Sequence, residues 1–222
     1  MKKSTYVPLS LISMSLGVVL VSGAAMANDS MSGDTSFAGS MMKRGPYIGL
    51  GYGRSSADTG LKGIVNGNLD KKDKSWKIFG GFNVNEHISL EASYNKLGKT
   101  GLTLDPGGSV RVASETLTNT GTTPLKIGTD TKSFGIAAKL GRNMGRFRPF
   151  VKLGLHRWNT DLTGTAGLNA SVSGDESGTD LFYGLGVEWA VSKAVGVQLE
   201  YESYDIGGPD VDVLGVALRY SF

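Results

Sequence analysis

The sequence predicts an all-β chain, an eight-stranded antiparallel up-and-down transmembrane β-barrel. Three observations lead there. Residues 210–222 alternate to the final position, with Leu214, Val216, Leu218, Tyr220 and Phe222 on one face and Val213, Gly215, Ala217, Arg219 and Ser221 on the other. A barrel strand in a membrane shows such an apolar face to lipid and its small, polar face to the lumen. The same period-2 pattern recurs in seven further segments, which no single stretch could establish. At the other end, Lys2 and Lys3 precede a mostly apolar run from Leu9 to Val21, followed by Ala25-Met26-Ala27. That order reads as an export signal cleaved after Ala27. The apolar run is shorter than the roughly 20 residues of a spanning helix. A chain without another candidate helix would have to cross as a closed barrel, because lipid does not satisfy open sheet edges.

The expected organisation is a signal peptide over 1–27, a flexible lead-in over 28–44 and one barrel domain over 45–222. The lead-in is rich in Ser, Met and Gly and has no period. Because Lys2 and Lys3 fall in the signal, residues 28–222 carry 21 basic against 20 acidic side chains. That balance argues against an electrostatic nucleic-acid surface. The chain has no cysteine, so neither disulfides nor Cys-based metal sites are expected. Its 33 glycines show no collagen-like period and suit close packing in a narrow lumen.

The strands follow in order. The first spans about 45–56, with Ile48, Leu50 and Tyr52 facing one way and Tyr47, Gly49, Gly51 and Gly53 the other. The second, about 74–84, sets Trp76, Ile78, Phe82 and Val84 against Lys77, Phe79, Gly81 and Asn83. The third, about 87–98, sets Ile88, Leu90, Ala92 and Tyr94 against Ser89, Glu91, Ser93 and Asn95. The fourth, about 131–142, sets Phe134, Ile136, Ala138 and Leu140 against Ser133, Gly135, Ala137 and Lys139. The fifth, about 147–159, sets Val151, Leu153 and Leu155 against Lys152, Gly154, His156 and Trp158. The sixth, about 179–191, sets Leu181, Tyr183, Leu185, Val187 and Trp189 against Phe182, Gly184, Gly186 and Glu188. The seventh, about 194–206, sets Val195, Val197, Leu199 and Tyr201 against Gln198, Glu200 and Glu202; the eighth is the terminal strand. Each approaches the 9–11 residues that cross a bilayer at a tilt.

Connections alternate in length. Asn85-Glu86, Asn143-Met144-Gly145 and Ser192-Lys193 are expected tight turns, and Gly207-Gly208-Pro209 is a shorter connection on the opposite rim. Residues 57–73, 99–130 and 160–178 are expected long polar loops, as on the extracellular rim of outer-membrane barrels. A soluble eight-stranded barrel is the rival geometry. It would bury the apolar faces. The signal, Phe222 and the girdle-like placing of Tyr52, Trp76, Phe82, Tyr94, Trp189 and Tyr201 on those faces favour the membrane form.

Four stretches, Phe79-Gly80-Gly81-Phe82-Asn83-Val84-Asn85, Ala138-Lys139-Leu140-Gly141, Gly186-Val187-Glu188-Trp189-Ala190 and Leu199-Glu200-Tyr201, resemble the OmpA-type transmembrane barrel family in order and spacing. The resemblance covers about 45–222. It implies a lumen plugged by paired charges, with Glu91, Lys139 and Glu188 on interior positions. Where the family pattern has Arg two residues before the Glu of Leu199-Glu200-Tyr201, this chain has Gln198, so the family's Glu–Arg gate is not present intact; Arg219 or Lys77 are candidate replacements. The expected lumen network is Lys77, Glu91, Lys139, Lys152, Glu188, Gln198, Glu200 and Arg219, with Glu202 a further carboxylate that its cations could meet and with Lys139 and Glu188 paired. The resemblance also implies that Tyr220 and Phe222 form the terminal signal read by the barrel-assembly machinery. Larger relatives carry a periplasmic peptidoglycan-binding domain, which is not expected here.

Catalysis has little support in the sequence. The two histidines are His87, beside a turn, and His156, facing inward, and no Gly-x-Ser-x-Gly or comparable nucleophile signature accompanies either. No cofactor is expected. The expected role is a structural membrane anchor that displays extracellular loops, in contact with outer-membrane lipid and open to host or phage contacts. A low-conductance pore and a lipid-modifying enzyme are the alternatives.

Overall fold

The computed structural model describes residues 43–58, 61–112, 115–166, 170–208 and 210–222. The expected signal, and all of the lead-in before Lys43, lie outside these. The described residues form ten strands: β1 (Gly45–Ala57), β2 (Lys62–Asp70), β3 (Lys72–Asn83), β4 (Ile88–Val112), β5 (Glu115–Thr118), β6 (Leu125–Gly141), β7 (Phe147–Ala166), β8 (Ala170–Ala190), β9 (Val195–Asp205) and β10 (Asp210–Ser221). Eight of them close a ring in the order β4-β3-β1-β10-β9-β8-β7-β6 and back to β4. Every pairing is antiparallel, and β1 meets β10 with Leu50 opposite Leu218. These eight coincide with the eight segments predicted from alternation. Among the described residues, no helix is long and apolar enough to cross a membrane.

The ring is inside-out relative to a soluble barrel. Leu50, Leu153 and Leu218 are 59%, 61% and 56% exposed, whereas Tyr47, Glu188 and Arg219 are at 1% or less. Large outward side chains cover the wall on every ring strand, far beyond the few hundred Å² of apolar patch that a soluble monomer shows. The soluble reading therefore fails on the direction of the faces.

The short turns are built by their own side chains. Asn85 Oδ1 accepts from the backbone N–H groups of His87 and Ile88, both at 2.8 Å. Ser192 Oγ accepts from those of Ala194 and Val195. Met144 and Phe147 exchange both backbone bonds around Gly145, whose φ of 65° favours glycine.

The opposite rim departs from expectation. Residues 57–73, 99–130 and 160–178 are largely strand rather than loop: β7 and β8 stay paired from Phe147↔Trp189 to Ala166↔Ala170, and β2 and β5 add to the extended β4. Thr, Ser and Gly composition read as loop, yet Thr suits a pleated surface, and each extension pairs the backbone groups of the next. Gly207 and Gly208 remain an irregular connection, with φ values of 64° and 135°.

A bulge in β4 has wide effect. The register slips between Lys96 and Gly98, where Gly98 takes φ 100°. Below it the odd residues Ser89, Glu91, Ser93 and Asn95 are buried; above it the even residues Leu102 and Leu104 are. One extra residue thus reverses which side chains enter the barrel.

Lumen glycines accept bulky neighbours. A Cβ at Gly154 would run into the Phe182 ring and the Ile136 carbonyl oxygen, whereas one at Gly101 would meet nothing within 4 Å. Gly154→Ala is expected to cost about 1–3 kcal/mol by overpacking, and Gly101→Ala to stay within about 0.5 kcal/mol. Urea unfolding of the refolded protein in lipid checks both.

Candidate functional site in the lumen

An eight-stranded ring encloses only enough space for side chains. Charges placed there have little water and must satisfy one another. The structure arranges them in two clusters stacked along the barrel axis.

The cluster nearer the extracellular rim centres on Lys152 of β7. Its Nζ lies 2.6 Å from Glu91 Oε1, 2.8 Å from Glu202 Oε1 and 3.4 Å from Glu200 Oε2. Lys77 of β3 pairs with Glu200 and, at 3.1 Å, with Glu202 Oε2. Two phenols complete the carboxylates: Tyr47 Oη donates to Glu91 Oε2 and Tyr204 Oη to Glu202 Oε2, each at 3.0 Å. β1, β3, β4, β7 and β9 are thereby tied across the lumen. Between them lies a cavity of about 20 Å³ beside Lys77, Glu200 and Glu202, room for a single water.

The cluster nearer the periplasmic rim centres on Glu188 of β8. Arg219 Nη1 donates to both its oxygens, at 2.8 and 3.0 Å, and Arg219 Nη2 donates to Asn83 Oδ1 at 2.8 Å. The guanidinium also lies 3.8 Å above the Tyr47 ring. Lys139 Nζ stands 3.6 Å from Glu188 Oε2 and 3.8 Å from the Phe150 ring centre, and has no hydrogen-bond partner. Arg148 Nη1 is 3.9 Å from the same carboxylate oxygen, while its Nη2 donates to the His87 carbonyl. Gln198 faces Glu188 across β8 and β9, fully buried, with neither amide atom hydrogen-bonded.

Seven of the eight predicted network residues thus enter ion pairs; Gln198 does not. Arg219, raised in the sequence as a stand-in for the missing Arg, supplies the bidentate partner of Glu188. Sequence reasoning left Arg148, Tyr47 and Tyr204 out of the network. Arg148 shares its parity with Lys152 and was visible by that rule; the two phenols look like ordinary aromatic residues until the fold puts their hydroxyls against carboxylates. Among the described residues the buried charges number five cations and four carboxylates. Lys139, the one without a hydrogen bond, is the surplus.

The histidines separate cleanly. His87 is exposed beside Glu86. His156 is buried, with Nδ1 2.9 Å from Ser133 Oγ and Nε2 2.8 Å from the Asp205 carbonyl. Ser133 is the companion that no local motif announced. His156 also meets the stacked rings of Phe182 and Tyr204. At the extracellular rim, burial and then the neighbouring Asp205, Asp212 and Asp58 push the Asp210 carboxyl above its usual range. Among the described residues no His, Asp and Glu cluster is placed to hold a metal. Tyr220 and Phe222 lie outward with ring centres 5.1 Å apart.

A closed antiparallel ring with an apolar outer wall and a paired-charge interior defines a transmembrane β-barrel of the bacterial outer membrane. The chain belongs to the outer membrane protein beta-barrel domain family, whose model matches residues 15–222. No curated protein matches it. Among solved structures it is similar to Ail, the attachment invasion locus protein of Yersinia pestis, at 19% identity and TM-score 0.50, over 80% of this chain and 99% of that one. Neisserial surface protein A is similar at 16% identity and TM-score 0.50, over 80% and 97%. At these identities the likeness is one of fold.

Members of the Glu188 cluster are expected to respond differently to single changes. Glu188→Gln leaves Arg219, Lys139 and Arg148 around a neutral amide and is expected to cost about 3–5 kcal/mol, the usual penalty for breaking a buried pair. Lys139→Met keeps the Arg219–Glu188 fork, removes the surplus cation and is expected to cost less than about 1 kcal/mol. Urea titration of the refolded barrel in lipid compares them.

Proposed function

We propose that this protein is a structural outer-membrane barrel with a plugged lumen, an anchor that presents its extracellular strands and loops at the cell surface. The observation that carries the reading is Lys152 of β7, whose ammonium reaches three carboxylates on β4 and β9, strands two places round the ring on either side of it. Breaking a path there means separating several desolvated pairs at once. Surface contacts, with a host or a phage, would fall on the extended rim of β2, β5 and the upper halves of β4 and β6–β8. Residues 1–27 act in this reading as a cleaved export signal, and Tyr220 and Phe222 as the terminal signal for the assembly machinery.

A low-conductance pore is the second reading, and one feature favours it. Glu188 has three cations within 4 Å, and Gln198 beside them holds no fixed partner. Exchange of Glu188 from Arg219 to Lys139 would rearrange one cluster without stranding its charge. An enzyme has less support. The Ser133–His156 pair is 2% and 1% exposed, and the imidazole packs against the Phe182 and Tyr204 rings.

Planar-bilayer recording on the refolded protein tests the plug. Few or no openings are expected from the wild type, with frequent openings when Lys152 and Glu202 are both changed to Ala; steady wild-type conductance would replace the anchor with the pore. Deleting Phe222 is expected to reduce the heat-shiftable folded form in cells several-fold while leaving refolding in vitro intact. Unchanged folded yield would remove the assembly role from the terminal ring.

A further inference from the structure

Above the charged clusters the lumen changes character. A chamber of about 540 Å³ opens at the extracellular end, within the roughly 300–1,000 Å³ range of small-molecule sites. Its wall is aliphatic: Leu102, Leu104 and Val110 of β4, Leu125 and Ile127 of β6, and Leu162 of β7. Trp158 and Val211 also line it. One inward position below Trp158 on β7 comes His156, with its layer of Phe182 and Tyr204, and beyond that Lys152. The chamber therefore has an aromatic floor that separates it from the plug.

The chamber is a product of the β4 bulge. Without the slip at Gly98, Leu102 and Leu104 would face outward and Thr103 would enter in their place. The parity change brings Leu102 opposite Ile127 and Leu104 opposite Leu125, both pairs inward. Polar groups are few and mostly uncharged. Thr100 and Thr129 face each other across β4 and β6 and both line the chamber. Thr131 and Thr160 are 2.9 Å apart and bonded to each other. Glu176 is the one charged residue among the described lining, and no lining cation offsets it.

We propose that this chamber is a binding site for a neutral, medium-chain amphiphile, an apolar body with one hydroxyl or carbonyl head. Aliphatic walls give water few partners and reward an apolar occupant. Unpaired threonine hydroxyls at Thr100 and Thr129 offer the head a hydrogen bond. Glu176, with no cation beside it in the lining, disfavours an anion, which sets an alcohol or ketone apart from the corresponding fatty carboxylate. The site requires a folded barrel but no particular state of the plug, so it stands apart from whether the lumen conducts.

Trp158 reports on it directly. The chain has three tryptophans, and Trp76→Phe with Trp189→Phe removes the two that face lipid. In this background, in lipid nanodiscs, 1-octanol is expected to change Trp158 emission saturably, and octanoate at neutral pH to bind at least tenfold more weakly. Ile127→Asn and Leu162→Phe, one polar and one filling, are each expected to weaken octanol at least tenfold while keeping the heat-shiftable band; either alone suffices if the other fails to fold. A response that rises linearly without saturation, that is equal in a folded variant, or that favours octanoate overturns the proposal.

Discussion

In hydrocarbon, each backbone N–H and C=O left without a partner costs several kcal/mol, and no water is present to supply one. That requirement governs the architecture of this chain. It forces β1 to meet β10 and β4 to meet β6, because an open edge on either side would strand a row of polar groups. Once eight strands close, the interior is only as wide as its side chains, and the wall must be apolar outside. Inward Gly, small and charged residues then follow from the narrowness of the ring.

The same narrowness explains the arrangement of the charges. Desolvated ions gain from pairing only when geometry is good and remaining hydrogen-bonding positions are filled. Around Lys152 this is met by three carboxylates, a second lysine and two phenols. Around Glu188 it is met on the carboxylate side, by the Arg219 fork, and less fully among the cations. Five positive groups share four carboxylates, and Lys139 balances its deficit against the Phe150 ring. Gln198 occupies the position where a further arginine would have deepened that surplus. Its neutral amide is consistent with Arg219 serving Glu188 from the adjoining part of the wall.

Above the membrane the constraint relaxes. Water can satisfy an edge, so β2 and β5 occur as partial additions, and β4 can afford a bulge. That bulge converts one continuous strand into two with opposite inward parity, so the lumen holds charge below and aliphatic side chains above. The two chemistries lie on one ladder, divided by the layer of His156, Phe182 and Tyr204.

Alternation alone determined the number of spanning strands, their order, the tight turns at Asn85, Gly145 and Ser192, and the inward or outward direction of nearly every residue in the spans, because a strand's side-chain period is two whatever it pairs with. It also placed Lys77, Glu91, Lys139, Lys152, Glu188, Glu200 and Arg219 in the lumen. It did not determine which charge meets which, since partners come from strands as far apart in sequence as β3 and β9 and depend on the stagger of the closed ring. Nor did it reveal the strands within 99–130, where threonine and glycine hid a pattern whose parity changes at Gly98. Tertiary structure decided those matters for one physical reason: pairing across a lumen, and the phase of a strand after a bulge, are properties of the closed sheet and are encoded in no single segment.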